Sequence, residues 1–453
     1  MMSSPIGRFV PALLAGLLVA CGPPRPEGYS EASHGNSAEP DYERFFESEG
    51  VQRIDLQIDA EAFDDLRTGL NISIAKEEAP AFGEVTVHYD DRVWEHVGFR
   101  FKGLKSAEES IEAGSEKLSF KLSFDEYEAK YVATKNQRFY GFKRLGFNAN
   151  PKDDSQIREV LASEILRAGG VPVARASLAR VYVDSGDGPV YWGLYTLLED
   201  PDDPALQEAQ FGERGGNLYE ASGDEADWSS FVLAAFDKKN HQEAADYSDV
   251  EAAIEALHDT SLEGAEWREA LEARFDVDGF LDFLALDTAM VNGDSYGCKG
   301  DGYFLYGVPT DGGRLSFIPA DFDVSLRGNV VSCGSLNPAA MSDTPQDLYF
   351  GYLGEARPLI TRLLADSKYL ERYKEHLESA LSGAFSIDEF SERARALHDL
   401  ARPYVVGDDG EVAPYSNLSS EEAFETSVEG DAGLIAHVTR RHELVREALE
   451  GSP

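Results

Sequence analysis

A chain of 453 residues in which 83 Asp+Glu stand against 41 Lys+Arg carries a formal charge of -42. Its 42% of apolar residues can fill a sizeable core, and its length allows about three domains or one large two-lobed fold. The charge excludes a general polyanion binder and electrostatic docking on anionic lipid, which both need a basic surplus, and it suits a salty habitat where screening weakens self-repulsion.

At the N-terminus Arg8 precedes an apolar run, Phe9 to Ala20, which is shorter than the roughly 20 residues a bilayer span needs. It ends Leu18-Val19-Ala20-Cys21, which resembles a bacterial lipobox. Residues 1–20 are therefore expected to be a lipoprotein signal peptide and Cys21 the lipidated residue, with a plain secretory signal as the alternative. Gly22 after the cysteine leans toward an outer-membrane or cell-surface fate. Pro, Gly, Ser and Glu dominate the residues that follow, so 21–50 read as a disordered tether. Cys298 and Cys333 remain; in an oxidising compartment one disulfide is the simplest outcome, two buried thiols the alternative.

Residues 51–200 read mainly as strands. Val85-Thr-Val-His-Tyr89 alternates up to Asp90-Asp91, and Arg92 to Lys102 returns as a hairpin. Lys117 to Phe124 alternates strictly, with Leu118, Phe120, Leu122 and Phe124 on one face and Lys117, Ser119, Lys121 and Ser123 on the other. One helix is predicted over about 155–168, capped by Asp154 or Ser155 and stopped at Gly169-Gly170. Strands follow at about 177–183 and 190–198. Residues 201–450 read as mostly helical. A helix carrying Phe280, Leu281, Leu284, Asp287 and Val291 ends at Asn292-Gly293, and a hairpin pairs Tyr303–Tyr306 with Leu315–Ile318. Helices are predicted at about 356–382, 387–401 and 420–449. The predicted architecture is α+β, with a β-rich first lobe and an α-rich second lobe.

Most standard catalytic patterns are missing. Gly293-Asp-Ser-Tyr-Gly297 matches GxSxG, but a helix precedes it and a strand follows, the reverse of a nucleophile elbow. What remains is a set of loop carboxylates. Asp294 follows a helix, and Asp321 and Asp323 follow the next hairpin, the layout in which protein kinases place a base and a metal-binding Asp. Turn-capping is the plainer reading of the same residues. Arg100, Lys102, Lys117 and Lys121 supply cations on strand faces, either for phosphates or as a solvated edge, and Glu159 on the predicted helix can pair with a lysine.

Several short stretches in sequence order, Phe101-Lys-Gly-Leu-Lys-Ser106, Lys117-Leu-Ser-Phe-Lys121, Ile157-Arg-Glu-Val-Leu-Ala162, Trp192-Gly-Leu-Tyr195, Gly216-Asn-Leu-Tyr219, Asp294-Ser295 and Phe317-Ile-Pro-Ala-Asp-Phe-Asp323, resemble the spore-coat protein H (CotH) family of secreted atypical protein kinases. The resemblance implies a two-lobed kinase-like fold that uses ATP with Mg²⁺ or Mn²⁺ to phosphorylate Ser or Thr of an extracytoplasmic protein. It implies nucleotide contacts from Lys102, Lys117 and Lys121, with Glu159 as orienting partner. The run Gly193 to Glu199 would lie beside the adenine. Asp294 would be the base and Asp321 the metal ligand, seconded by Asp323. The chain departs from the family where an Asn metal ligand is replaced by Gly302, for which Asp301 is the expected substitute, and where a Trp is replaced by Ala320. A Cys298–Cys333 disulfide would pin the longer loop after Asp294. The expected molecule is a monomer tethered only by its lipid and without nucleic acid. A non-catalytic surface-attachment module and, motivated by the Asp321-x-Asp323 pair, a metal-dependent glycosyltransferase are the alternatives.

Overall fold

Alternating apolar residues curl the first half of the chain into a barrel whose phenylalanines meet inside. In the computed structural model, which describes residues 28–327, 353 and 356–451, the strands are β1 (Gln52–Gln57), β2 (Gly83–Tyr89), β3 (Arg92–Phe101), β4 (Phe120–Ser123), β5 (Arg144–Asn148), β6 (Ala176–Asp184) and β7 (Pro189–Glu199). They run β1-β2-β3-β4-β5-β7-β6, and parallel pairing of β6 with β1 closes the ring, so no edge is left to aggregate. Phe99, Phe101, Phe120, Leu122 and Phe147 are buried, with Phe120 and Phe147 stacked at 4.6 Å. Each such side chain contributes about 2–3 kcal/mol by leaving water. The register Arg100↔Lys121 beside Phe101↔Phe120 puts the cations on the outer face, as the period of two requires.

The predicted strand over Lys117–Phe124 shortens to Phe120–Ser123, because its start is diverted into other bonds. The Glu116 amide donates to the Pro414 carbonyl at 2.7 Å, and the Lys117 carbonyl accepts from Asn417 Nδ2 at 3.0 Å. Within residues 51–200 two helices were not foreseen. Ala60–Lys76 starts at Asp59, whose Oδ1 accepts from the Glu61 and Ala62 amides; it lays Phe63, Leu66, Leu70 and Ile74 against the barrel, with only Leu70 fully buried. Leu104–Glu112 follows Gly103, which adopts φ +68 and provides no side-chain cap. The predicted helix over 155–168 begins at Arg158, whose amide donates to Asp153 Oδ2 at 2.9 Å.

The expected tether needs correction from residue 28 onward. Short helices at Glu31–His34 and Tyr42–Phe45 dock on the barrel; His34 stacks on Trp94 at 4.2 Å and Phe45 packs against Tyr89 and Phe139. Tyr42, Phe45 and Phe46 bring enough apolar surface to offset the entropy of ordering this arm. The signal peptide with Cys21, and Cys333, lie outside the described residues.

The second half is less purely helical than predicted. It holds a four-stranded sheet, β8 (Leu218–Ala221), β9 (Phe236–Lys238), β10 (Tyr303–Val308) and β11 (Arg314–Pro319), in the order β11-β10-β8-β9. Helix Val277–Met290 packs on this sheet and on Ser367–Ser382 and Leu434–Glu450. The helix expected over 356–382 breaks at Asp366, which caps its second part by accepting from the Lys368 and Tyr369 amides. That over 420–449 divides into Glu421–Thr426 and Leu434–Glu450, and the middle one extends to Val405. Among the described residues no helix is long and apolar enough to cross a membrane. The architecture is α+β, a closed barrel joined to a smaller sheet clothed in helices.

Candidate active site: three carboxylates facing a cationic strand

Two loops of the second half deliver the acidic groups. Helix Val277–Met290 stops at Val291, a β-branched residue at φ +66, and the chain turns through Asn292 to Asp294. Beyond β11, Asp321 also adopts φ +66 and leads to Asp323. Buried Asn292 joins the loops: its Oδ1 accepts from the Asp294 amide at 3.0 Å and its Nδ2 donates to the Asp321 carbonyl at 3.1 Å. Backbone strain of this kind persists only where surroundings hold it. Carboxylate oxygens of Asp294, Asp321 and Asp323 lie within 4.8 Å of one another. Burial first, then the neighbouring carboxylates, push Asp323 well above the usual carboxylate range; burial and Asp294 push Asp321 up, although it faces the open cleft. Clustered hard oxygen donors that repel one another fit a divalent cation such as Mg²⁺.

The barrel supplies the opposite wall. A cleft of about 550 Å³ is lined by the three aspartates together with Lys102, Lys121, Glu159 and Glu199. Lys102, just past β3, acts on both Glu159 and Asp321. Gly146 across from it has no side chain; a Cβ there would come within 3.7 Å of the Lys102 ammonium and 3.3 Å of Leu198. Glu159 is fixed by Asn148 Nδ2 at 2.6 Å, and burial raises its pKa to about 7 while Lys102 opposes the rise. The uncapped start of helix Leu104–Glu112 also lines the cleft through Gly103, Leu104, Lys105 and Ser106, a suitable seat for an anion.

Three sequence expectations change. Lys117 is not in the cleft: its ammonium is wholly buried, 2.5 Å from Glu411 Oε1 and 2.9 Å from Gln156 Oε1. It precedes β4, so strand parity does not govern its direction. Asp301 is not part of the acidic trio; its Oδ2 accepts from the Gly223 amide at 3.0 Å, so it does not replace the missing Asn. Nor is there space for that Asn, because Gly302 has φ +77 and a Cβ would sit 2.8 Å from the Asp294 carbonyl. Of the run Gly193 to Glu199, only its end reaches the cleft, continued by Asp200, Pro201 and Asp202. Glu199 itself turns inward to accept from Tyr42 at 2.5 Å and the Arg175 amide at 3.1 Å. Lys121 stays in the cleft, ion-paired at 2.5 Å with Asp200. Ser295 of the GxSxG match is buried and donates to the Asn292 carbonyl.

Asn292, Gly146, Asp200 and Lys299 were missed. Lys299, whose ammonium pairs directly with Asp294, follows Cys298, which is buried and disulfide-bonded; its expected partner lies outside the described residues. The Asn-Gly pair at 292–293 was legible as a helix stop, and nothing in the sequence told that Asn292 also clamps a loop about thirty residues on.

Curated relatives match more than half of the chain. Invasin CotH3 of Rhizopus delemar is 23% identical over 284 residues, 59% of this chain and 44% of that protein. Inner spore coat protein H of Bacillus subtilis is 22% identical over 306 residues, 64% of this chain and 74% of that one. The chain thus spans less than half the length of the invasin. A chain from the HipA–HipB toxin–antitoxin complex with operator DNA of Shewanella oneidensis, at 13% identity, covers 59% of this chain and 61% of its own with a TM-score of 0.24, a likeness too slight to inform the site. The family described as CotH kinase protein matches residues 99–445, from the end of β3 through the cleft to the last helix, and the chain belongs to that family.

Proposed function

We propose that this chain is an exported, lipid-anchored kinase that moves the γ-phosphoryl group of ATP to a Ser or Thr hydroxyl of an extracytoplasmic protein. One observation carries the reading: the Asp294, Asp321 and Asp323 carboxylates meet in a single cleft with Lys102, Glu159 and an uncapped helix start. The barrel and the helical half would act as the two lobes. Asp321 and Asp323 would hold Mg²⁺ or Mn²⁺, which when bound neutralises charge on the phosphate oxygens. Lys102, aimed by Glu159, would hold those oxygens from the barrel side, with the amides of residues 104–106 beside it. Residues 198–202 would border the base. Asp294 would orient the acceptor hydroxyl and take its proton. Because the transition state is loose, such positioning and charge neutralisation supply most of the rate.

Incubation with Mg²⁺ and γ-labelled ATP is expected to label protein, and Asp321→Ala to lower labelling at least about a hundredfold without lowering the melting temperature. Absence of label together with absence of any Mg²⁺-nucleotide thermal shift would sink the reading. Lipidation at Cys21 predicts fatty-acid labelling that Cys21→Ala removes; a monomer on the cell surface that binds no nucleic acid completes the picture. The name invasin on three relatives favours a second reading, an attachment module of the same fold. It predicts nucleotide-independent capture of a surface protein or glycan, undiminished by Asp321→Ala.

A further inference from the structure

The three carboxylates are not alone on the cleft floor. The ammonium of Lys299 is paired directly with Asp294 Oδ1, and its side chain remains 44% exposed. Its backbone is well fixed: the Lys299 amide donates to the Ser295 carbonyl at 2.8 Å, and Arg357 donates to the Cys298 carbonyl at 2.9 Å. The residues that would complete a second cation site are turned away or absent. Asp301 is engaged with the Gly223 amide, and at Gly302 a Cβ would already sit 2.8 Å from the Asp294 carbonyl. One divalent cation and one ammonium balance three carboxylates; a second divalent ion would share the Asp294 oxygens with a cation already against them.

We propose that the Lys299 ammonium takes the place of a second divalent cation, so that the cleft binds its nucleotide with a single metal ion. This inference rests on the kinase reading above. An ammonium has three donors, of which Asp294 takes one and two remain for phosphate oxygens. Lys299 would meet the triphosphate from the side of Asp294 while Lys102 meets it from the barrel.

The test uses the full chain, Mn²⁺ and a nonhydrolysable ATP analogue, with bound Mn²⁺ counted by electron paramagnetic resonance and analogue affinity by calorimetry. The native chain should hold one Mn²⁺ per chain with the analogue present. Lys299→Met should weaken the analogue about tenfold or more, and Lys299→Arg should stay within about threefold, because the charge is kept. Melting temperatures of both variants establish that they are folded. Two Mn²⁺ ions on the native chain, or analogue binding by Lys299→Met as tight as native or tighter, overturn the inference while leaving the kinase reading intact. A native chain that binds neither Mn²⁺ nor the analogue overturns both.

Discussion

Asp323 shows how this chain trades stability for a site. Burial and the neighbouring Asp321, Glu159 and Asp294 carboxylates disfavour its charged form, a cost that the metal-free fold carries. Asp323→Asn is therefore expected to raise the melting temperature of the metal-free chain while cutting Mn²⁺ affinity at least about tenfold, measurable by calorimetry on one sample. Gly302 is held by space rather than chemistry. Gly302→Ala should cost about 1–3 kcal/mol in denaturant unfolding, since it joins a positive φ to the close approach of the Asp294 carbonyl. Glu199 gives a pH signature away from the acidic trio. Burial raises its pKa from 4.5 to about 7, against the hydrogen bonds from Tyr42 and the Arg175 amide. The folded chain thus favours the protonated form: its contribution is complete below about pH 4.5 and is lost as pH rises through about 7. Glu199→Gln, which mimics that form, should gain on the native chain between pH 5 and pH 8, reaching about 1–3 kcal/mol in urea unfolding.

Between elements, the segment after helix Ile387–Val405 matters more than its lack of regular structure suggests. Glu411 Oε1 accepts from the Leu194 amide at 2.8 Å and meets Lys117; Asn417 Nδ2 donates to the Lys117 and Ala149 carbonyls; Tyr415 stacks on Trp192 at 5.7 Å. This strap ties the helical half to the barrel beside β4. Breaking a wholly buried ion pair leaves one charge without its partner, so Glu411→Ala should destabilise by about 3–5 kcal/mol, and Lys117→Met combined with Glu411→Leu by much less. Nucleotide affinity of the folded double variant should stay native, which separates a structural Lys117 from the cleft-facing lysine that its sequence position suggested. Strand parity was legible from the sequence and set Arg100 opposite to Phe99 and Phe101, and Lys121 opposite to Phe120 and Leu122; the register Arg100↔Lys121 brings these two cations side by side on the outer face. It stopped informing where β4 stopped, and that end is set by a partner about three hundred residues away.

At the scale of the molecule the charge of -42 dominates. Repulsion between exposed carboxylates opposes the compact state and is screened over about 8 Å at 0.15 M salt. The melting temperature should therefore rise between 0.05 and 1 M NaCl, and a flat or falling curve would show that local ion pairs outweigh the global field.

The strands β2, β3, β4, β6 and β7, the helix before Asn292-Gly293 and the two aspartate-bearing loops were readable because each follows from a local rule: alternation, periodicity, or a turn between them; β1 and β5 were not picked out. The long helix Ala60–Lys76 was not read, although Phe63, Leu66, Leu70 and Ile74 recur on one face and pack against the barrel, because all but Leu70 are only half-buried and charged residues stand between them. The choice among cations and carboxylates was not readable either. Lys102 rather than Lys117 reaches the cleft, Asp301 is spent on a backbone amide, and Lys299 meets Asp294, because a side chain's direction outside regular structure is fixed by contacts remote in sequence. Local spacing names the groups able to carry the chemistry, and packing between distant segments selects which of them share a cleft.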